Sequence, residues 1–120
     1  MHKIIFFNSR DELLRISLEH VAYFEANGNY TNIVMVNGLR GTTALSLSRM
    51  ADVLAEQSST TEFMRAGKRF IINIRYIYQI NIAKQRLILT DYRNFKYLLP
   101  ISKEALKKIK EITLQTNIEL

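Results

Sequence analysis

The chain has 120 residues, enough for one domain and too few for two. It contains no cysteine and only two histidines, His2 and His20, which excludes disulfides and thiolate chemistry and argues against a histidine metal cluster. The net charge of +6 is uneven: Met1–Glu62 holds 5 basic and 7 acidic residues, net −2, and Phe63–Leu120 holds 12 and 4, net +8.

Such an asymmetry suggests an electrostatic face, with nucleic acid the commonest partner; the plain alternative is a solvated basic surface. A chain of this size buries well over half of its unfolded surface and needs no staples. No run reaches the roughly 18 apolar residues of a membrane helix. The start, "MHKIIFFNSRDELL", lacks the apolar region and small-residue cleavage site of a signal peptide, so a cytoplasmic protein is expected.

In chain order, "KIIFF" is a short apolar run followed by the polar turn "NSRDE", and "LLRISL" and "HVAYFE" are each of strand length. Asn27-Gly28 and Asn37-Gly38 flank "YTNIVMV". Asn-Gly between strand-like runs is a strong hairpin signal, so this segment is expected to pair on both sides as a meander. "SLSRMADVLAEQ" reads as a helix: Leu47, Met50, Ala51 and Leu54 fall on one face, Ser46 is the cap, and Leu45 and Met50 have staple spacing. "RFIINIRYIYQI", "QRLILTD" and "FKYLLPI" continue the β pattern, with "TDYRN" as a turn. The last helix lies in "ISKEALKKIKEI", where Ser102 is the cap and Ile101 and Leu106 form a staple. There Leu106, Ile109 and Ile112 or Thr113 line one face, and Lys107, Lys108 and Lys110 face water. Pro100 forces an extended approach to that cap. The final "QTNIEL", residues 115–120, is expected to fray. Helices do not alternate with strands, which argues against a doubly wound α/β sheet. The expected fold is mostly β, a single domain over residues 1–120 with its core at about 4–112 and two short helices.

Enzyme signals are poor. No GxxxxGK[ST] loop exists, no recognisable motif places a nucleophile beside a histidine, and Asp11-Glu12 read as a solvated turn pair. No catalytic residue, cofactor, metal or small-molecule substrate is expected. The cations say more. Lys68 and Arg69 follow Gly67 in a loop, and Lys103 stands in the first turn of the last helix, where it opposes the helix dipole and another role gains weight. The Ser102–Lys103 end also offers free backbone N–H groups to a phosphate oxygen. Arg75, Lys84, Arg86, Arg93 and Lys96 are spread over the late strands. Tyr30, Tyr76, Tyr78, Tyr92, Phe95 and Tyr97 would stack single-stranded bases if exposed as a ladder, but strand aromatics are more often core.

Four segments in this order, "HVAYFEANGNYTNIVMVNG", "TALSLSRMADVL", "FMRAGKRFIINIRYIYQI" and "LLPISKEALKKI", resemble the LytTR DNA-binding domain of bacterial transcription regulators. Glu25, Asn29, Tyr30, Thr31, Phe63, Arg65, Asn73, Ile77, Pro100 and Ser102 stand at matching positions, over roughly Ile4 to Ile112. The resemblance implies an elongated, mostly antiparallel β domain that binds double-stranded promoter DNA through loops in successive major grooves. By position it makes Asn29, Thr31, Asn32, Lys68, Arg69 and Lys103 the candidate DNA contacts. It also implies a direct-repeat site bound by two copies, a dimer on DNA. Where the family usually has His-Arg-Ser, this chain has Gly67-Lys68-Arg69, and Glu104 is an acid near the expected DNA. Lysine reads guanine less well than arginine, so the base preference of the family need not transfer. The rival reading is a β-rich protein-interaction module that has lost DNA recognition. Met1 lies close to the first strand, which leaves no room for a receiver domain ahead of it; the chain reads as a stand-alone regulator or an excised domain.

Overall fold

The computed structural model describes residues 3–57 and 62–114; His2 and the tail 115–120 lie outside the described residues. Strands β1 (Ile4–Asn8) and β2 (Leu13–Ser17) form a hairpin. Strands β3 (Val21–Asn27), β4 (Tyr30–Met35) and β5 (Arg40–Thr43) form the expected meander, with β4 paired on both sides. Helix α1 (Leu47–Gln57) follows, and then β6 (Phe63–Ala66) and β7 (Phe70–Asn73) form a hairpin that joins β3. The resulting five-stranded sheet has the order β5-β4-β3-β7-β6. Strands β8 (Ile77–Asn81), β9 (Arg86–Thr90) and β10 (Lys96–Pro100) make a separate three-stranded sheet, and α2 (Lys103–Thr113) ends the domain. The described pairings are all antiparallel, and the domain is elongated, 53 × 30 × 26 Å.

The five-stranded sheet is buried on both faces. Val21, Phe24, Ile33 and Ile71 pack with Ile5 and Ile16 of the first hairpin and with Leu47, Met50 and Leu54 of α1. Tyr23, Val34, Phe70 and Ile72 pack the other way, against Leu87, Leu89 and Leu99 of the smaller sheet and Leu106 and Ile109 of α2. A register shift between Val21 and Tyr23 lets Ala22 and Tyr23 share that second face, one more residue than strict alternation allows. Burial pushes the Tyr23 hydroxyl pKa above its ordinary value, against the opposing pull of Arg40.

Asn73 connects the two sheets. The segment "RFIINIRYIYQI" looks like one long strand, yet it is cut after Asn73 by a short 3-10 turn, Ile74–Tyr76. The Asn73 side-chain oxygen accepts from the Arg75 N–H (3.1 Å), and its amide donates to the Val21 carbonyl (2.9 Å), so a local side-chain bond displaces the ladder. The residue is 1% exposed. Its two bonds send the chain from the large sheet to the small one.

Helix starts match their sequence signals. The Ser46 hydroxyl accepts from Arg49 N–H (3.1 Å) and the Ser102 hydroxyl from Ala105 N–H (3.3 Å). On α2, Leu106 and Ile109 are buried, and the next inward position is Thr113, whose hydroxyl donates to the Ile109 carbonyl; Ile112 is exposed. Turn registers differ from the Asn-Gly reading. Asn27 pairs with Tyr30, so the central residues are Gly28 and Asn29, and only Gly28 has positive φ (+61°), the pattern of a II′ turn. The β9–β10 turn is built on Asp91. Partial desolvation acts to raise its pKa, but the N–H groups of Arg93, Asn94 and Phe95 and the Asn94 amide outweigh it and hold it down to about 2.

Candidate nucleic-acid interface

The loop "AGKR" is the tip of the β6–β7 hairpin, residues 67–69 between the paired Ala66 and Phe70. Gly67 has φ +71°, a conformation that a side chain strains. Arg65 braces the loop from behind: its Nε donates to the Gly67 carbonyl (3.1 Å) and its Nη2 to the Lys68 carbonyl (3.2 Å). Arg65 is thereby committed to loop shape. The Lys68 ammonium is exposed and has no partner among the described residues. Arg69 is exposed too, but its Nη2 donates to Glu25 Oε2 at 2.9 Å and its guanidinium lies 5.0 Å from the centre of the Phe70 ring.

The N-terminus of α2 lies beside this loop. A Cβ placed on Gly67 would stand 3.9 Å from the Ala105 Cβ. Between loop and helix runs an open groove of about 820 Å³, lined on one side by Arg65 to Phe70 and on the other by Pro100 to Ser102, Glu104, Ala105 and Lys108. Lys103 is the first residue of α2, exposed at its positive end. Glu104 is explained by the helix itself, since an acid in the first turn complements the dipole.

The β3–β4 turn sits at the same end of the sheet, because Glu25 pairs with both Phe70 and Asn32 and Ala26 N–H donates to the Arg69 carbonyl (2.8 Å). Asn29 is exposed at its tip. Asn32 is half-buried, its oxygen shared by the Asn27 amide (3.3 Å) and the Thr42 hydroxyl (3.1 Å). A polar row thus runs Thr42–Asn32–Glu25 across three strands and leads to Arg69. Thr31 does not belong to it. Its side chain is 0% exposed on the opposite face, and its hydroxyl donates to the Leu45 carbonyl at 2.7 Å. The expectation that Thr31 contacts DNA is corrected: alternation along β4 turns it toward α1, and its hydroxyl ties that strand to the residue before the Ser46 cap.

Of the expected residues, Asn29, Asn32, Lys68, Arg69 and Lys103 therefore occupy one end of the molecule. A further exposed cation, Lys84, lies near the approach to α2. It lies in the β8–β9 turn, and Ile101 N–H just ahead of α2 donates to the carbonyl of the next residue, Gln85 (3.2 Å). Its spacing in sequence carried no such signal; the neighbour relation arises from the β8–β9–β10 pairing. Among the described residues the aromatics form no continuous base-stacking ladder: Tyr30 is exposed on β4, apart from the others. Tyr23 is buried, Tyr76, Phe95 and Tyr97 pack together, and Tyr78 and Tyr92 meet edge-on at 6.0 Å on the exposed sheet.

A family model described as the LytTr DNA-binding domain matches residues 11–113. Among solved structures, the chain is similar to the LytTr DNA-binding domain of a methyl-accepting/DNA response regulator from Bacillus cereus. The TM-score is 0.68 at 19% identity, covering 94% of this chain and 98% of that one. At this identity the likeness concerns the fold. No curated protein matches the chain.

Proposed function

The chain belongs to the LytTR DNA-binding domain family, and on that premise we propose that it binds double-stranded promoter DNA sequence-specifically for a bacterial transcription regulator. DNA binding is the function of the family. The observation that carries it is the meeting of the Gly67–Arg69 loop and the α2 N-terminus across one groove, with Lys68 lining it and Lys103 exposed in the first turn of that helix. Lys68 and Lys103 hold phosphates, Lys84 extends that contact along the backbone, and the free N–H groups of the α2 start add to it. Asn29 faces base edges, where an amide suits adenine, and Asn32, whose oxygen already accepts from Asn27 and Thr42, has only its amide N–H groups to offer there. On the family resemblance, the loops at this end enter successive major grooves. A direct-repeat site bound by two copies follows from the same reading.

Titrating the protein with mixed-sequence duplex at about 50 and 200 mM salt tests this. Tight binding at the lower salt and a steep loss at the higher is expected. Absence of binding at both would favour the rival protein-interaction module.

A further inference from the structure

The pairing of β3 with β7 brings together two residues 44 positions apart, Glu25 and Arg69. The carboxylate is recessed, its side chain 21% exposed, and the guanidinium stands in front of it, 60% exposed. One nitrogen, Nη2, is held by Glu25, and the plane is backed by the Phe70 ring; Nε and Nη1 donate to nothing among the described residues.

This arrangement is poor for phosphate and good for a base. The adjacent carboxylate cancels most of the charge that a phosphate would seek. It leaves one of the two N–H forks free, because Nη2 keeps a second N–H beside Nε or Nη1, and that fork needs no net charge to bond an uncharged base edge. A held guanidinium also loses less rotamer freedom when it binds. Building on the DNA-binding reading above, we infer that Arg69 is the base-reading residue of this loop, selecting guanine through O6 and N7, and that Glu25 is its positioning residue. Lys68, unpaired beside it, takes the phosphate role.

The test is selection of bound duplexes from a random pool by the wild-type chain and by Arg69→Lys and Glu25→Gln. Wild type is expected to select a site with a guanine that Arg69→Lys distinguishes about tenfold less well, a loss confined to that base pair. Replacing that guanine with 7-deazaguanine should weaken wild type more than Arg69→Lys. Glu25→Gln should show opposite signs: unchanged or tighter binding to mixed duplex, because an acid has left the DNA face, with weaker preference at the same base pair. A purely structural Glu25 would lower both together. If wild type selects a site and both variants keep its preference at every position, the inference is overturned while DNA binding stands. If wild type selects nothing, the DNA-binding reading fails and this inference with it. Should Glu25→Gln not fold, Arg69→Lys decides alone, since lysine keeps the charge and the stem.

Discussion

Replacing Thr31 with valine separates a structural role from a DNA contact. Valine keeps the shape of threonine but removes the hydroxyl that donates to the Leu45 carbonyl at 2.7 Å. Because Thr31 is fully buried, no water replaces that donor in place. Removing one partner of such a bond costs about 1–3 kcal/mol. A domain of this size loses roughly 4 °C of melting temperature per kcal/mol, so a fall of about 4–12 °C is expected. The bond anchors the residue before the α1 cap, so α1 amides should exchange faster with solvent than those of α2. The assay is thermal melting followed by circular dichroism, with duplex titration well below the lower melting point. Affinity per folded molecule should match wild type. Unchanged melting together with a tenfold or greater loss of DNA affinity would refute the structural assignment and restore Thr31 as a contact.

Asn73→Ala strands the Val21 carbonyl and the Arg75 N–H at the point where the chain changes sheets, and a destabilisation of about 2–4 kcal/mol is expected in urea unfolding; a value under 0.5 kcal/mol would show that the turn holds without it. Asp91 predicts an acid-sensitive turn. Its folded pKa, about 2, lies below the ordinary 3.8, so its stabilisation is present above about pH 4 and is lost as pH falls toward 2. Asp91→Ala should lower the melting temperature at pH 7 and remove that component of the acid dependence; identical melting-versus-pH curves for the two proteins would rule it out.

The strands and helices were largely legible because their signals are local. Ser46 and Ser102 cap their own helices, and runs such as "YTNIVMV" have no competing pattern. What escaped depends on partners distant in sequence. The break at Asn73 needs the Val21 carbonyl, 52 residues away, and β6 is too short to stand out until β7 pairs with it. Thr31 and Asn32 look equivalent in sequence, but a sheet covered on both faces buries one and leaves its neighbour half-exposed. The same holds at the site. The basic loop and the α2 start were readable as charges on turns, whereas Glu25 behind Arg69, Arg65 bracing the loop and Lys84 near the approach to α2 are products of strand pairing.

The most direct test of the account is the salt dependence of duplex binding for wild type and for Lys68→Ala/Lys103→Ala. These side chains are exposed and make no bond that the fold requires, so melting should be unchanged. If both hold phosphates, the double variant binds more weakly at low salt, and its slope of log affinity against log salt is shallower by about 2. Equal affinity and equal slope at every salt concentration would show that this end of the molecule is not where DNA binds.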